Sequence, residues 1–270
     1  MLIVVKAGGN VLKNNLGEIA SDVGDVVHKG GNSVIFVHGG GAEVTAIAEK
    51  LGQEQKFVIS PEGFRSRYTD KDTVEIYNMV MSGKINKKIV SVFQSCGVRS
   101  IGLSGVDGGL LKAKRKERMI IVDERGRKKV IDAGFSGKIH EVNSELLKLL
   151  IGNGYVPVIS PVAIGEEFEL LNVDGDRAAA SIAGAVKADK LVLLTDVEGV
   201  ILDGKVVPIT KSSEIKEALP KIGAGMSTKV HAAAEALNIG VKEVIISSGL
   251  RKSPITSAIR HENGTVIVNG

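Results

Sequence analysis

Lys6 closes the apolar run Leu2-Ile3-Val4-Val5 and is followed by Gly8 and Gly9. A lysine at the carboxyl end of a buried strand points an ammonium at whatever approaches that backbone, and two glycines leave amide N–H groups uncovered for an anion. A second run, His38-Gly39-Gly40-Gly41, lies between the strand pattern SVIFVH and a helical pattern that starts at Ala42. Backbone amides and a helix dipole make such a junction an anion cradle. His38 beside it reads as structural. Asn172-Val173-Asp174-Gly175-Asp176 opens another helical pattern. Asn172 can hydrogen-bond a substrate and Asp176 can accept from lysines, although both aspartates could simply cap the helix. Leu194-Thr195-Asp196-Val197-Glu198-Gly199-Val200 ends an apolar run in a polar turn suited to a nucleotide base or ribose. Gly223-Ala224-Gly225-Met226-Ser227-Thr228-Lys229 reads as a glycine-rich loop with a lysine at the start of a helix. A cation there is unfavourable unless an anionic ligand lies between.

This chemistry points to phosphate and carboxylate, and other chemistries lack their residues. No G-x-x-x-x-G-K-[ST] loop, G-x-S-x-G elbow or H-E-x-x-H pair occurs. His28, His38, His140, His231 and His261 show no ligand spacing, and Cys96 is the single cysteine, so no protein-bound metal is expected.

The elements that must hold these residues alternate. Apolar β-rich runs at 2–5, 33–38, 101–103, 156–160, 190–195, 243–247 and 265–268 are separated by helical patterns at 16–29, 42–51, 70–93, 143–153, 176–186 and 229–237. Continuous Val/Ile/Leu strands between helices predict a mostly parallel sheet covered on both faces, with ligands at the carboxyl ends of the strands. The composition shift GEEFELLNVDGD near 165–175 is the expected seam between two lobes.

The chain has 270 residues and a formal net charge of +4. Residues 112–129, KAKRKERMIIVDERGRKK, hold nine Lys/Arg against three Asp/Glu, a net +6, which leaves about −2 for the rest. The segment reads as a β-hairpin with a strand at 119–122 and a turn at 124–127. It is either a solvated edge kept from aggregating by its lysines or a docking arm for an acidic partner. With 3% aromatic residues and no Trp, nucleic acid is not the expected partner. No apolar run approaches the ~20 residues that span a bilayer, and the N-terminus is too short for a signal segment. The expected setting is the reducing cytoplasm, away from membranes.

The pieces VVKAGG (4–9), VHGGG (37–41), RYTD (67–70), LNVDGD (171–176), LTDVEGV (194–200) and GAGMSTKV (223–230), in this order, resemble the amino acid kinase family and its N-acetylglutamate kinase branch. The resemblance covers essentially the whole chain. It implies an α/β fold, a three-layer αβα sandwich on a mostly parallel open sheet. It implies an N-terminal lobe, 1–168, for the carboxylate substrate and dimerisation, and a C-terminal lobe, 169–270, for ATP. It also implies Mg²⁺-ATP-dependent phosphorylation of a side-chain carboxylate to an acyl phosphate, by a homodimer. Lys6 and Lys229 match the lysines that stabilise the transition state, and Asp176 the aspartate that organises them. Gly40, Gly41, Arg67 and Asn172 match substrate contacts. Gly8, Gly9, Thr195, Asp196, Gly199, Gly225 and Met226 fall on the nucleotide side, and Mg²⁺ comes with the nucleotide.

The segment KAKRKER and the form of Ser66-Arg67-Tyr68-Thr69-Asp70 are similar to the kinases of carrier-protein lysine biosynthesis. Their substrate is aminoadipate, or in many archaeal forms glutamate for arginine synthesis, linked to a small acidic carrier, LysW. The expectation is that Lys112, Lys114, Arg115, Lys116 and Arg118 dock that carrier. Arg67 would hold the substrate's α-carboxylate, with Arg65 close by. The alternative is an N-acetylglutamate kinase acting on the free metabolite of arginine synthesis.

Overall fold

The computed structural model describes residues 1–270, apart from the side chain of Ala224. Its elements are β1 (Leu2–Ala7), α1 (Gly9–His28), β2 (Ser33–His38), α2 (Gly41–Lys50), β3 (Phe57–Ile59), β4 (Arg65–Arg67) and α3 (Lys71–Asn78). A π-helical stretch, Met79–Ile85, joins α3 to α4 (Asn86–Ser95). Then follow β5 (Ser100–Ser104), β6 (Leu111–Arg115), β7 (Arg118–Val122), β8 (Lys128–Asp132), β9 (Gly137–Val142), α5 (Ser144–Gly152), β10 (Val156–Ser160), β11 (Val162–Ile164) and β12 (Leu170–Asn172). The rest is α6 (Gly175–Ala185), β13 (Lys190–Thr195), β14 (Ile201–Leu202), β15 (Lys205–Val206), β16 (Ile209–Lys211), α7 (Ser212–Glu217), α8 (Ala224–Asn238), β17 (Glu243–Ser248), α9 (Pro254–Ile259) and β18 (Thr265–Val268).

Eight strands form one sheet in the order β16-β18-β17-β13-β1-β2-β10-β5. The β17–β18 pair is antiparallel and the others are parallel. The central strands are apolar throughout because both faces are covered. Val4, Ile35, Leu191 and Leu193 pack into one core under α5, α6 and α8, whereas Ile3, Val5, Phe36 and Val192 pack into the other under α1, α4 and α9. The architecture is therefore a three-layer αβα sandwich. Ala7 at the end of β1 is in register with His38 of β2 and Leu194 of β13. The turns after these three strands thus converge at one edge of the sheet.

Several expectations change. α1 begins at Gly9, seven residues before the helical pattern, and α8 begins at Ala224, five before it. Glycine is a poor helix former, so propensity places both starts too late; at α1 the glycine serves a close approach of Gly9 to Gly40. Gly225 and Met226 consequently lie in the first turn of α8 and not in a loop, and Lys229 lies in the second turn. The 70–93 pattern is α3, the π stretch and α4 in succession.

The basic segment divides between two sheets. β7 and β8 form the expected hairpin, from Arg118↔Asp132 to Val122↔Lys128. Lys112–Arg115 belong instead to β6, inside a second sheet of order β12-β11-β6-β9. The hairpin β3–β4 and this second sheet have no counterpart in the sequence reading, since their short strands carry too few apolar residues to show a period. The 168/169 division falls at the tip of the β11–β12 hairpin, where Ile164 pairs with Leu170. No helix is long and apolar enough to cross a membrane.

Candidate active site

Helix α6 carries Asp176 to Lys6. Its residues Ala178, Ala179 and Ala183 face the sheet, and their small side chains let the helix lie close to β1 and β2. Asp174 caps the helix by accepting from the Arg177 N–H at 2.9 Å, a contribution of about 1 kcal/mol. Asp176, in the first turn, meets Lys6 Nζ at 2.7 Å through Oδ1. Helix α8 packs on α6 and brings Lys229, whose Nζ donates to Asp176 Oδ2 at 3.0 Å. The three side chains are 9% (Lys6), 5% (Asp176) and 14% (Lys229) exposed, which decides their electrostatics.

Burial pushes the Asp176 carboxyl up, but Lys6 and Lys229 overcome it and hold it down at about 2. Burial likewise lowers the Lys6 ammonium, yet Asp176 raises it above its ordinary value. Two cations around one anion leave a net positive charge in a dry site. An uncompensated buried charge is expensive, so an anion is the ligand that the cluster favours.

The glycine turns lie beside this cluster and against each other. Gly8 N–H donates to Leu194 O at 3.4 Å and Gly39 N–H to Ala7 O at 2.9 Å. A Cβ on Gly9 would stand 3.0 Å from Gly40 Cα, so the two turns touch backbone to backbone. Gly9 starts α1 and Gly40 caps α2. The first-turn amides of both helices have no intrahelical acceptor and are free for an anion.

Gly9, Gly39 and Gly40 line a cavity of about 190 Å³, and a separate cavity of about 510 Å³ is walled by Arg67, which reaches from it to the start of α2. Arg67, Asn172, Arg65, Lys116, Lys138 and Arg177 are among the larger cavity's lining residues. Asn172 Nδ2 donates to Thr69 Oγ1 at 3.0 Å. Arg67 Nη2 donates to Gly41 O at 2.7 Å and Thr45 Oγ1 at 2.9 Å, and Nη1 donates to Gln55 Oε1. Arg67 thus already clamps the start of α2 to β4. Its neighbour Arg65, exposed, stacks 3.7 Å over the Phe57 ring.

On the other flank, Thr195 Oγ1 donates to Asp196 Oδ1 at 3.3 Å and Asn10 Nδ2 to Asp196 Oδ2 at 2.9 Å. The Asn10 hydrogen bond is the main reason the Asp196 carboxyl is held below its usual range. A Cβ on Gly199 would lie 2.8 Å from Thr265 Oγ1, so Gly199 serves the packing of β18 on this turn.

The five basic residues expected to act together are separated. Lys112 is paired with Glu141 at 2.8 Å. Arg115 Nε donates to Gly134 O at 2.8 Å and its guanidinium covers the Phe135 ring. Lys114, Arg115 and Arg118 border a different cavity, shared with Glu117, Asp132, Glu166, Glu167 and Glu169. Lys116 alone of the five lines the cavity beside Arg67 and Asn172.

The sequence pattern that defines the amino acid kinase family matches residues 1–248. The chain belongs to the amino acid kinase family. A protein of Saccharolobus islandicus strain L.S.2.15 named LysW-aminoadipate/LysW-glutamate kinase is 50% identical over 270 residues, 100% of both chains. Provisionally so-named proteins of Cenarchaeum symbiosum (52% over 269 residues, 100% of both chains) and Nitrosopumilus maritimus (52% over 266 residues, 98% of this chain and 99% of the other) are equally similar. Among solved structures, N-acetylglutamate synthase from Neisseria gonorrhoeae matches with a TM-score of 0.82 at 21% identity, over 100% of this chain and 59% of that one. Carbamate kinase from Giardia lamblia bound to AMP-PNP matches at 0.69 and 20%, over 100% and 98%. These two share the fold. This amino acid kinase is accordingly a phosphotransferase.

The sequence reading missed Asn10, Gln55, Thr45 and Thr69, which hold Asp196, Arg67 and Asn172 in place. It also missed Lys138 and Arg177 in the cavity wall. No local pattern marks these residues. Asn86 is different: a polar residue within the apolar face of a helix is a visible signal, and it is buried here.

Proposed function

We propose that this amino acid kinase phosphorylates the side-chain carboxylate of aminoadipate linked to the acidic carrier LysW, and of LysW-linked glutamate. The observation that carries the reading is the cavity that joins Arg67 and Asn172 to Lys116, Lys138 and Arg177. An amino acid held at its α-carboxylate by the inner residues would leave its blocked amino group directed along a basic wall, the surface an acidic carrier needs. The full-length relatives named for LysW-linked substrates support the same conclusion. The second basic group, Lys114 and Arg118, stands among Glu117, Glu166, Glu167 and Glu169. Those carboxylates would repel an acidic partner, so we assign docking to Lys116, Lys138 and Arg65; Arg177 in the same wall is paired with Glu235 at 3.1 Å. Lys112, Lys114, Arg115 and Arg118 drop out of the docking set.

The chemistry follows from charge. A carboxylate with a reference pKa near 4 is ionised at pH 7, so no general base is required. A carboxylate oxygen forms a bond to the γ-phosphorus as the bond to the β,γ-bridging oxygen breaks, and ADP leaves. Lys6, Lys229 and the amides of the glycine turns neutralise charge that spreads over the transferred group. Asp176 holds the two ammoniums at the required separation. The amides after β1 and the turn Thr195–Gly199 serve the nucleotide. Mg²⁺ brought in with the nucleotide would add electrostatic neutralisation of the phosphate charge. Glutamate and aminoadipate differ by one methylene, which an apolar contact separates by only ~1–3 kcal/mol. The open cavity fits both, and a homodimer of such chains belongs to the same proposal.

The test is trapping of the acyl phosphate with hydroxylamine. Mg²⁺-ATP is supplied with free N-acetylglutamate in one arm and carrier-linked aminoadipate in the other. Turnover with the carrier-linked substrate alone is the expected result. Turnover with the free metabolite overturns the carrier reading.

A further inference from the structure

His38 is fully buried at the last position of β2, directly before the glycine cradle. Its Nε2 faces Asn86 Nδ2 at 3.2 Å and its Nδ1 faces the Gly39 carbonyl oxygen at 3.3 Å. Asn86 leaves no ambiguity about which of its atoms is nitrogen. The same atom lies 2.9 Å from Val158 O and 3.3 Å from Leu103 O, and an oxygen there would face two acceptors. Asn86 Oδ1 in turn accepts from Lys87 Nζ at 3.2 Å. The amide nitrogen that faces His38 Nε2 donates and cannot accept, so a proton on Nε2 would meet no acceptor; Nε2 carries no proton and Nδ1 does. Nδ1–H then donates to Gly39 O.

That hydrogen bond has a directional consequence. The Gly39 carbonyl and the Gly40 N–H belong to one planar trans peptide and point in opposite directions. Holding the carbonyl toward His38 turns the Gly40 N–H outward, to the side where the cradle receives an anion. The π-helical stretch adds a second constraint: its Met81 and Ile85 pack against Gly40, and Asn86 follows immediately. π-helical turns recur at functional sites because they re-aim side chains that an α-helix would place elsewhere.

We propose that Asn86 and His38 are positioning residues for phosphoryl transfer: Asn86 fixes the Nδ1–H tautomer of His38, and His38, through the Gly39 carbonyl, aims the Gly40 N–H at the transferred group. This rests on the reading of the glycine turns as the anion cradle. The ring's neutrality fits the role. Burial, with Lys6 and Lys87 adding to it, lowers the His38 pKa to about 4 against a smaller opposing effect of the Gly39 hydrogen bond. A neutral ring keeps Nε2 free to accept.

The test combines a spectroscopic readout with kinetics. In protein labelled with ¹⁵N-histidine, the His38 signals, assigned by their loss in His38→Leu, are expected to show the Nδ1–H tautomer. Asn86→Asp replaces the donor with an acceptor and is expected to switch the ring to Nε2–H. It should lower kcat on the order of 100-fold, the effect of one lost oxyanion donor, with KM for ATP little changed. His38→Asn, which can still donate to Gly39 O, is expected to retain far more kcat than His38→Leu. Should Asn86→Asp fail to fold, Asn86→Ala serves for the kinetics. An Nε2–H ring in the unmodified protein overturns the proposal, as does equal kcat in His38→Asn and His38→Leu. The kinetics use whichever acceptor the protein turns over, so failure of the carrier reading leaves this test intact. Without turnover on either acceptor the ring tautomer decides it.

Discussion

Lys6 Nζ sits 2.7 Å from Asp176 Oδ1, although 170 positions (176 − 6) separate the two residues in the chain. Asp176 bridges this lysine to Lys229, so each ammonium has a partner and neither is neutralised completely. Removing one lysine therefore does not strand the carboxylate. Lys6→Met is expected to leave a folded protein, with Asp176 still paired to Lys229, and to cut kcat by about 100- to 1,000-fold, the range for loss of one transition-state donor. Near-parent turnover in a hydroxylamine assay would remove Lys6 from the mechanism.

Asp176→Asn is the opposite case. It leaves two buried ammoniums without a counter-ion. Loss of one partner from a buried pair costs about 3–5 kcal/mol, which for a chain of this size lowers Tm by roughly 10 °C. Thermal unfolding measures this, and Mg²⁺-ATP should restore part of the loss by supplying phosphate charge. In the parent protein the Asp176 carboxyl sits at about 2, below its ordinary 3.8. Its stabilisation is thus complete above pH ~4 and disappears as pH falls through ~2.

His38 controls a milder pH range. Its folded-state value of about 4 lies below the ordinary 6.5. The unfolded chain takes up a proton near 6.5 and the folded one resists it, so the unfolded state binds more protons in between. Stability should fall by up to about 3 kcal/mol as pH drops from 6.5 to 4. Urea unfolding across this range shows the slope, and His38→Asn should lose that component.

The docking assignment separates two lysines four residues apart. Lys116 lines the cavity beside Arg67 and Asn172, whereas Lys112 is engaged by Glu141. Lys116→Glu is expected to raise KM for a carrier-linked substrate by roughly 10-fold, about 1.4 kcal/mol, while Lys112→Gln shifts it by less than about twofold, as exposed pairs contribute little. Steady-state kinetics with both variants distinguishes this from a docking surface spread over the whole basic segment.

The close approach of the two glycine turns gives a further check. In Gly9→Ala a new Cβ would press on Gly40 Cα at 3.0 Å and Gly40 N at 3.2 Å. The turns must separate by a few tenths of an ångström, which misplaces the amides. The expected result is a folded protein with kcat lowered at least about 10-fold, since small displacements at a reacting centre are costly. Circular dichroism with single-turnover kinetics separates this from unfolding.

What the sequence alone determined is what is written locally. Unbroken Val/Ile/Leu strands require two covered faces, so the central parallel sheet was readable from β1, β2, β10, β13 and β17. Glycines directly after β1 and β2 could be read as anion turns, because strand-end glycines have few other reasons to cluster. The tertiary structure decided everything that depends on which surfaces meet. The family resemblance already singled out Asp176, and packing of the alanine face of α6 against the sheet shows how it reaches both lysines. Only the division of the basic segment between two sheets shows that Lys116 lines the cavity beside Arg67 and that Arg115 covers a phenylalanine ring. The tautomer of His38 depends on Asn86, Val158 and Leu103, three positions from three different elements. Hydrogen bonds between distant elements leave no periodic trace in the chain, and they set the site's geometry.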